Sequence, residues 1–195
     1  AEGEGAMAAI LGLDDAQIER VCTDLAQDHS VEGTVVPANY NAPGQVVIAG
    51  HSNAVEAAID ACKAAGARRA VQLPVSVPSH TPLMQPAKAA LSEALDAIEL
   101  HPPRIPVLHN IDVQARTEPD SIRHALVEQL VHPVRWTDTV LALLARSITQ
   151  FYECGPGRVL CGLGKRMDRS VGWQTLDDVE WLRLRANGQP ETQGD

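Results

Sequence analysis

The stretch Thr34-Val-Val-Pro-Ala-Asn-Tyr-Asn-Ala-Pro-Gly-Gln-Val-Val-Ile-Ala49 decides the fold of this chain. Two mainly apolar runs, 34–40 and 45–49, flank a short segment, 41–44, that contains a Pro-Gly pair. Proline and glycine supply the backbone angles that a tight reversal needs, so 41–44 is predicted to be a turn. The two runs are therefore predicted to be strands that pair as a hairpin.

A strand and a helix are predicted on each side of this hairpin. Upstream, the run 5–13 predicts a strand, and either Asp14 or Asp15 can accept a hydrogen bond from the first turn of the helix that follows. Downstream, Ser52 is interpreted as the cap of a second helix, and 69–73 as a strand. Apolar residues recur at helical spacing in both helices: Ile18, Val21, Cys22 and Leu25 in the first, and Ala54, Val55, Ala58, Ile59 and Cys62 in the second.

The resulting order of elements, βαββαβ, predicts an α/β protein with a ferredoxin-like small lobe over residues 1–76. Pro74 and Pro78 mark the predicted boundary to a second lobe, 77–186. Residues 187–195 are predicted to be a polar tail.

The second lobe is predicted to be α/β but poor in strands. Helices are expected at 83–98, 119–130 and 137–146, strands at 107–110 and 150–154, and a last helix through Met167 after the turn Gly155-Pro-Gly157. Two strands among several helices make an incomplete doubly wound sheet. We therefore expect the chain to be a truncated part of a larger α/β lobe.

Composition excludes several classes of function. The formal net charge of −9 argues against a nucleic-acid partner, which would select a basic face. No apolar run approaches the ~20 residues of a membrane span, and residues 1–5 do not resemble a signal peptide. The four cysteines and seven histidines show no metal-ligand spacing, so no metal is expected and the cysteines are interpreted as reduced thiols of a cytoplasmic protein.

His80 ends the run Leu73-Pro-Val-Ser-Val-Pro-Ser-His80, at the junction between a β-rich segment and a predicted helix. Such a junction can project an imidazole into a cleft. From the pattern alone, both a structural histidine and a catalytic base remain possible.

Two glycine-containing segments partly match known nucleophile and phosphate-binding motifs. Gly50-His-Ser52 resembles the start of a nucleophile elbow, but position 54 is Ala where the second glycine belongs. Gly162-Leu-Gly-Lys165 resembles a phosphate loop, but Arg166 follows the lysine where Ser or Thr is needed. A helix cap and a tight strand-to-helix turn are the preferred interpretations.

Two groups of basic residues can each be interpreted in two ways. Arg158, Lys165, Arg166 and Arg169 are predicted to lie close to one helical face. Arg68 and Arg69 form a second basic point in an acidic lobe. Each group is either solvated surface charge or a surface that attracts an anionic partner.

Several segments together resemble the malonyl-CoA:acyl carrier protein transacylases of bacterial fatty-acid synthesis, and more loosely the acyltransferase domains of polyketide synthases. The segments follow the family's order through about residue 167. They are Gly5-Ala-Met-Ala-Ala-Ile-Leu-Gly, Asn39-Tyr-Asn41-Ala-Pro-Gly-Gln45-Val-Val-Ile-Ala-Gly50, the run ending at His80, Asn110-Ile-Asp-Val113, Gln129-Leu-Val-His-Pro-Val-Arg-Trp136 and Glu153-Cys-Gly-Pro-Gly157-Arg-Val-Leu.

The resemblance implies a ping-pong transfer of malonyl from malonyl-CoA, through a serine, to the phosphopantetheine thiol of acyl carrier protein, with no permanently bound cofactor. It implies that His80 is the general base and that the backbone carbonyl of Gln129 orients its ring. Asn39 and Asn41 match residues near the mouth of the active site. The implied fold is a ferredoxin-like lobe inserted into an α/β-hydrolase-like lobe, of which 77–186 would be the C-terminal part.

Three features of the family are missing from the 195 residues. They are the Gly-His-Ser-x-Gly-Glu elbow that carries the nucleophilic serine, the arginine that pairs with the malonyl carboxylate, and the glutamine-containing glycine-rich loop that helps form the oxyanion hole. We therefore expect the chain to need the N-terminal part of the enzyme and to be inactive alone. Two alternatives stay open. The chain could be a non-catalytic module that binds carrier protein through Arg68 and Arg69, or a piece of a polyketide synthase.

Overall fold

The computed structural model describes residues 5–177 and residue 183. The chain divides into two compact units, 1–142 and 143–195, which are described separately below. The predicted lobe boundary near residue 76 lies within the first of these units and stays a prediction. The predicted tail, 187–195, lies outside the described residues.

The first unit contains a four-stranded antiparallel sheet in the order β2-β3-β1-β4. Its strands and the two helices between them are β1 (Gly5–Leu11), α1 (Asp15–Gln27), β2 (Val35–Ala42), β3 (Gln45–His51), α2 (Ser52–Ala64) and β4 (Arg69–Gln72). This is the predicted ferredoxin-like βαββαβ arrangement, so the fold class is confirmed. The hairpin from β2 to β3 turns at Gly44, whose φ of +71° lies in the left-handed region that favours glycine.

Successive side chains of each strand point to opposite faces of the sheet. One face of the sheet packs against α1 and α2, and the core between them includes the fully buried Ile10 and Ile48 of the sheet and Ile18 of α1. A smaller cluster holds Met7 and Val47 from the alternate positions. The apolar stripes of both helices therefore form the main core of this unit.

The two helices begin differently. Asp14 caps α1 in a reciprocal capping box with Gln17, in which each side chain accepts from the other's backbone N–H. The prediction that Ser52 caps α2 is wrong, because β3 continues through His51 and Ser52 is the first helical residue. His51 is the N-cap residue, and its Nδ1 accepts from the Thr34 N–H at 2.9 Å.

Helices dominate the rest of the first unit. A 3₁₀ turn, Pro82–Met84, leads directly into α3 (Gln85–Asp96), and α4 (Pro119–Glu128) follows. Helix α5 (Trp136–Ala145) begins in this unit and continues past residue 142, where the unit ends. The predicted strand at 107–110 is wrong, since only a single bridge joins Leu108 to Ala115. The chain folds back on itself there, because the His109 N–H donates to the Gln114 carbonyl at 3.1 Å.

The second unit contains a parallel βαβ element, built from β5 (Gln150–Glu153), α6 (Val159–Met167) and β6 (Gly172–Thr175). Strand β6 was not predicted from the sequence. It is only four residues long and is secured by stacking of Trp173 on Phe151, with ring centroids 4.2 Å apart. In the described residues, no helix is both long and apolar enough to cross a membrane.

Candidate active site

His80 lies between β4 and the 3₁₀ turn, in a backbone conformation that is rare for a residue with a side chain. Its φ is +64°, in the left-handed region. The flanking residues Pro78 and Thr81 are buried, and the Thr81 hydroxyl donates to the Pro78 carbonyl at 2.7 Å. The same hydroxyl oxygen accepts from the Leu83 N–H at 3.3 Å. This tight network holds His80 in its strained conformation, which is a feature that functional sites often share.

The ring of His80 meets the backbone of Gln129. Its Nδ1 lies 2.8 Å from the Gln129 carbonyl oxygen, and the site is partly buried. A carbonyl oxygen can only accept, so the proton of this bond belongs to Nδ1. In the neutral ring Nε2 then carries the lone pair, which is the state that a general base requires.

The segment after Gln129 is tied to the sheet. Val134 donates its N–H to the Ala38 carbonyl at 2.8 Å and accepts from the Tyr40 N–H at 2.9 Å. These two bonds flank Asn39, which forms a parallel bridge with Val134. The rigid strand β2 therefore supports the turn that carries the Gln129 carbonyl.

The remaining predicted site residues lie on the sheet. Asn41 is partly buried at a β-bulge, where the register of β2 against β3 shifts between Tyr40 and Ala42. Arg69 begins β4 and Arg68 immediately precedes it, and both side chains are exposed. Within the described residues, the structure brings His80 and Gln129 together and joins Asn39 to the segment that follows Gln129.

An ion pair beside Gln129 was missed by sequence analysis. Lys88 Nζ on α3 contacts Glu128 Oε1 at the end of α4, and the two side chains are only 19% and 20% exposed. The hydrogen bond from Lys88 is the main cause that lowers the pKa of Glu128. Forty positions separate the two residues, so no local pattern could indicate the pair.

A polar cleft of about 490 Å³ lies on the same unit, beside α1 and the segment 132–138. Burial, followed by the hydrogen bond that the Tyr40 hydroxyl donates to Glu19 at 2.7 Å, raises the pKa of Tyr40. Burial also raises the pKa of Asp15. The lining residues are Asp15, Glu19, Tyr40, Ile111, His132, Pro133, Arg135, Thr137 and Asp138.

The cysteines are free thiols, and three of them are buried. Burial raises the pKa of Cys22 to about 12 and also raises the pKa values of Cys62 and Cys161. A thiol attacks as its thiolate, so these three are poor nucleophiles at neutral pH. In the residues that the structure describes, no group of three or more His, Cys, Asp or Glu side chains could hold a metal ion.

The glycine-rich segment near α6 does not form a phosphate loop. Gly162 and Gly164 lie inside α6, and a Cβ at Gly164 would lie 2.2 Å from the Trp173 ring. The first turn of α6 is already occupied, because the Glu153 carboxylate accepts from the Leu160 N–H at 3.0 Å and the Cys161 N–H at 2.8 Å.

The basic residues near α6 do not share one helical face as predicted. Arg158 is the residue before the helix, Lys165 and Arg166 lie in its last turn, and Arg169 lies beyond its end. The helix is too short to include all four side chains.

Comparison with known proteins identifies close relatives of most of this chain. The family model described as "Acyl transferase domain" matches residues 1–177. The malonyl CoA-acyl carrier protein transacylase of Escherichia coli K12 is 55% identical over 178 residues, which is 91% of this chain and 56% of that protein.

Two solved structures are similar in fold as well as in sequence. The malonyl CoA-acyl carrier protein transacylase of Coxiella burnetii has a TM-score of 0.90 at 44% identity, covering 95% of this chain and 58% of that one. A malonyl-transacylase solved in complex with its type II PKS acyl-carrier protein also has a TM-score of 0.90, at 48% identity, covering 97% of this chain and 60% of that one. The chain thus spans little more than half the length of the relatives it matches.

Proposed function

Because this chain belongs to the acyl transferase domain family, we propose that it supplies the general base for malonyl transfer from malonyl-CoA to the phosphopantetheine thiol of acyl carrier protein. The observation that carries the proposal is the 2.8 Å contact between His80 Nδ1 and the Gln129 carbonyl. It leaves Nε2 of the neutral ring able to accept a proton.

The proposed reaction uses His80 Nε2 twice in each half. In the first half, Nε2 takes the proton of a serine hydroxyl as its oxygen attacks the malonyl thioester, and then returns that proton to the departing thiolate of coenzyme A. In the second half, Nε2 takes the proton of the phosphopantetheine thiol as its sulfur attacks the serine ester. The same proton then returns to the serine oxygen, and malonyl leaves on the carrier protein.

A backbone carbonyl differs from the aspartate of a Ser-His-Asp triad in carrying no net charge. It still selects the tautomer, because Nδ1–H must point at an acceptor. It stabilises the imidazolium less than a carboxylate does. Proton return to a thiolate leaving group is undemanding, so this weaker support suits a thioester substrate.

We propose that the nucleophilic serine comes from a segment that the 195 residues do not contain. Gly50-His-Ser52 is the nearest match to an elbow, and it too lies at a strand-to-helix junction. Ser52 does not have the positive φ of a strained elbow, and the neighbouring His51 ring is engaged with the Thr34 N–H. The N-terminal part of the enzyme is therefore proposed as a required partner.

We also propose that Asn39 and Asn41 contact the substrate near the mouth of the site. Both lie on β2, next to the segment that follows Gln129. Malonyl-CoA as the donor and acyl carrier protein as the acceptor are proposed from the names of the relatives, one of which was solved with its carrier protein.

Complementation tests this proposal. Residues 1–195 are produced alone and together with a segment that carries a Gly-His-Ser-x-Gly-Glu elbow, and transfer of labelled malonyl to carrier protein is measured. We expect activity only in the complemented sample, and a loss on the order of 10³-fold for His80→Ala in that sample. His29→Ala, at an exposed histidine of the same chain, is the matched control and is expected to retain activity. Transfer by residues 1–195 alone, or full activity of His80→Ala, contradicts the proposal.

A second candidate is a non-catalytic module that binds acyl carrier protein. The exposure of Arg68 and Arg69, two adjacent cations on a chain of net charge −9, favours it. A binding titration with the Arg68→Glu/Arg69→Glu double variant is expected to show weaker binding than wild type. The control reverses two other exposed arginines, Arg20 and Arg104, and equal binding by both double variants removes this candidate.

A further inference from the structure

Gln129 has a side chain whose hydrogen bonds the proposed base mechanism does not use. Resting on the proposed function, we propose that this side-chain amide is a positioning group. It closes the turn 129–133 and thereby keeps the residue's own carbonyl aimed at His80 Nδ1.

The carbonyl of Gln129 lies where a helix leaves acceptors without intrahelical partners. α4 ends at Glu128, and Gln129 is its C-cap residue, with its N–H donating to the Ala125 carbonyl at 3.0 Å. The last carbonyls of a helix have no N–H four residues ahead. Imidazoles contact two successive carbonyls here: His132 Nδ1 lies 2.9 Å from the Glu128 carbonyl oxygen, and His80 Nδ1 lies 2.8 Å from that of Gln129. The Glu128 oxygen also accepts from the Val131 N–H at 3.1 Å.

The amide of Gln129 bridges the turn that follows. Its Nε2 donates to the His132 carbonyl at 3.1 Å and to the Pro133 carbonyl at 3.4 Å. Both acceptors precede Val134, which is fastened to β2 by two backbone hydrogen bonds. The side chain therefore links the helix end that presents the carbonyl to the segment held by the sheet.

This link explains why the residue type matters at a position whose proposed role is a main-chain role. Every residue has a backbone carbonyl, so orientation of His80 alone does not require glutamine. The bridge requires a group with two N–H donors on a side chain long enough to reach the His132 and Pro133 carbonyls. The amide of glutamine meets both requirements. Without it, the peptide unit after Gln129 can rotate away from the imidazole, and small misplacements of catalytic groups are costly.

Substitution separates the two roles, because it removes the amide and leaves the carbonyl. The 195-residue chain is labelled with ¹⁵N-histidine, and the ring nitrogens of His80 are assigned by comparison with His80→Ala. In wild type we expect the neutral ring to be mainly the Nδ1–H tautomer. In Gln129→Met, which has similar length and no donor, we expect the Nδ1 and Nε2 resonances to move toward each other as the tautomers mix.

Gln174→Met is the matched control, because Gln174 Nε2 also donates to a backbone carbonyl, that of Thr175, at 3.0 Å. We expect it to leave the His80 resonances unchanged. Unchanged His80 resonances in folded Gln129→Met overturn the inference. Circular dichroism checks folding, and if Gln129→Met does not fold, the same spectra of Gln129→Glu decide the question, since its carboxylate keeps the shape and removes the donors.

These spectra need no acyl transfer, so they separate this inference from the proposed function. In the complemented enzyme, Gln129→Met is expected to lower kcat on the order of tenfold with KM unchanged. If wild type shows no transfer, the proposed function fails, and the tautomer of His80 still decides whether the amide positions the carbonyl.

Discussion

The sheet at residues 5–72 and the stretch at 78–136 are stabilised in different ways. The sheet and its two helices enclose a continuous apolar core. In the second stretch, α3 buries no residue completely and α4 buries only Ala125. His80 and Gln129 both belong to this second, sparsely packed stretch.

Polar contacts stabilise the second stretch where apolar burial is scarce. Lys88 pairs with Glu128, Arg116 donates two hydrogen bonds to the Asp112 carboxylate, and the Gln129 amide bridges its turn. Polar contacts are directional, so they set the position of a group more sharply than apolar packing does. The two ion pairs also depend on charge, so the stability that they add is expected to vary with pH.

The largest expected effect is in the sheet. Ile48→Ala removes a side chain that is 0% exposed, and we expect the free energy of unfolding to fall by about 2–5 kcal/mol, because a cavity remains. Urea unfolding followed by circular dichroism measures it. Ile105→Ala, at a residue 77% exposed in the second stretch, is the control and is expected to change stability by less than about 0.5 kcal/mol. Equal losses in the two variants contradict the comparison.

A smaller effect is expected at the reversal near residue 113. Val113 has a φ of +63°, which is strained for a β-branched residue, and the Asp112–Arg116 pair closes the same segment. Arg116→Met keeps the aliphatic stem and removes the guanidinium. We expect the free energy of unfolding to fall by about 1–2 kcal/mol, a range that already allows for the partial exposure of Asp112. The hydrogen bond from Arg116 is the main cause that lowers the pKa of Asp112. The loss should therefore shrink as pH falls from the usual pKa of the carboxyl, near 3.8, through the lowered value, and a loss that does not depend on pH argues against the ion pair.

Backbone strain at His80 predicts a difference in stability between two variants that both lack the imidazole. Both His80→Ala and His80→Gly lose the hydrogen bond to Gln129, but only glycine adopts a φ of +64° without steric cost. We expect His80→Gly to be about 1 kcal/mol more stable than His80→Ala, measured by thermal unfolding. Equal stability of the two variants would show that His80 is not strained in solution.

The smallest expected effect concerns the ion pair beside the candidate site. Because the folded-state pKa of Glu128 is lowered, the pair adds stability above the group's usual pKa, near 4.5, and that stability is lost as pH falls through the lowered value. Glu128→Gln is expected to lower the free energy of unfolding by about 0.5–1 kcal/mol at pH 7 and to leave it unchanged at pH values below the lowered pKa. Lys63→Met, which breaks the exposed Lys63–Asp60 pair, is the control and should be neutral within error. A pH-independent loss in Glu128→Gln contradicts the assignment.

Much of the first unit was predictable because its signals are local. Alternating apolar residues, the Pro-Gly turn and the Asp14 cap each specify an element from neighbouring residues. The errors arose where local signals were weak. Ser52 and His51 are neighbours, and either could be read as the N-cap of α2. Three prolines precede the segment 107–110, which was wrongly predicted to be a strand. Strand β6 depends on stacking of Trp173 on Phe151, a contact between distant residues.

The candidate site likewise has features that the sequence indicates and contacts that only the structure shows. The residues around His80 indicate a strand-to-helix junction, and resemblance to a family pointed to His80 and Gln129. No spacing in the sequence indicates that the two meet, since 49 positions separate them and a backbone carbonyl leaves no mark on residue type. The Lys88–Glu128 pair and the bridge from the Gln129 amide also became visible only in three dimensions.

Local patterns in the sequence therefore specified the order of strands and helices from β1 to β4, and the order of its motifs indicated the family of the chain. Those follow from periodicity, turn chemistry and motif order, which are properties of short segments. The family resemblance implies that the Gln129 carbonyl orients the His80 ring. The tertiary structure decided the geometry of that hydrogen bond, because a contact between groups 49 positions apart depends on how the segments are brought together. It also decided that His80 adopts a left-handed backbone, which its neighbours Pro78 and Thr81 maintain through their burial and hydrogen bonding.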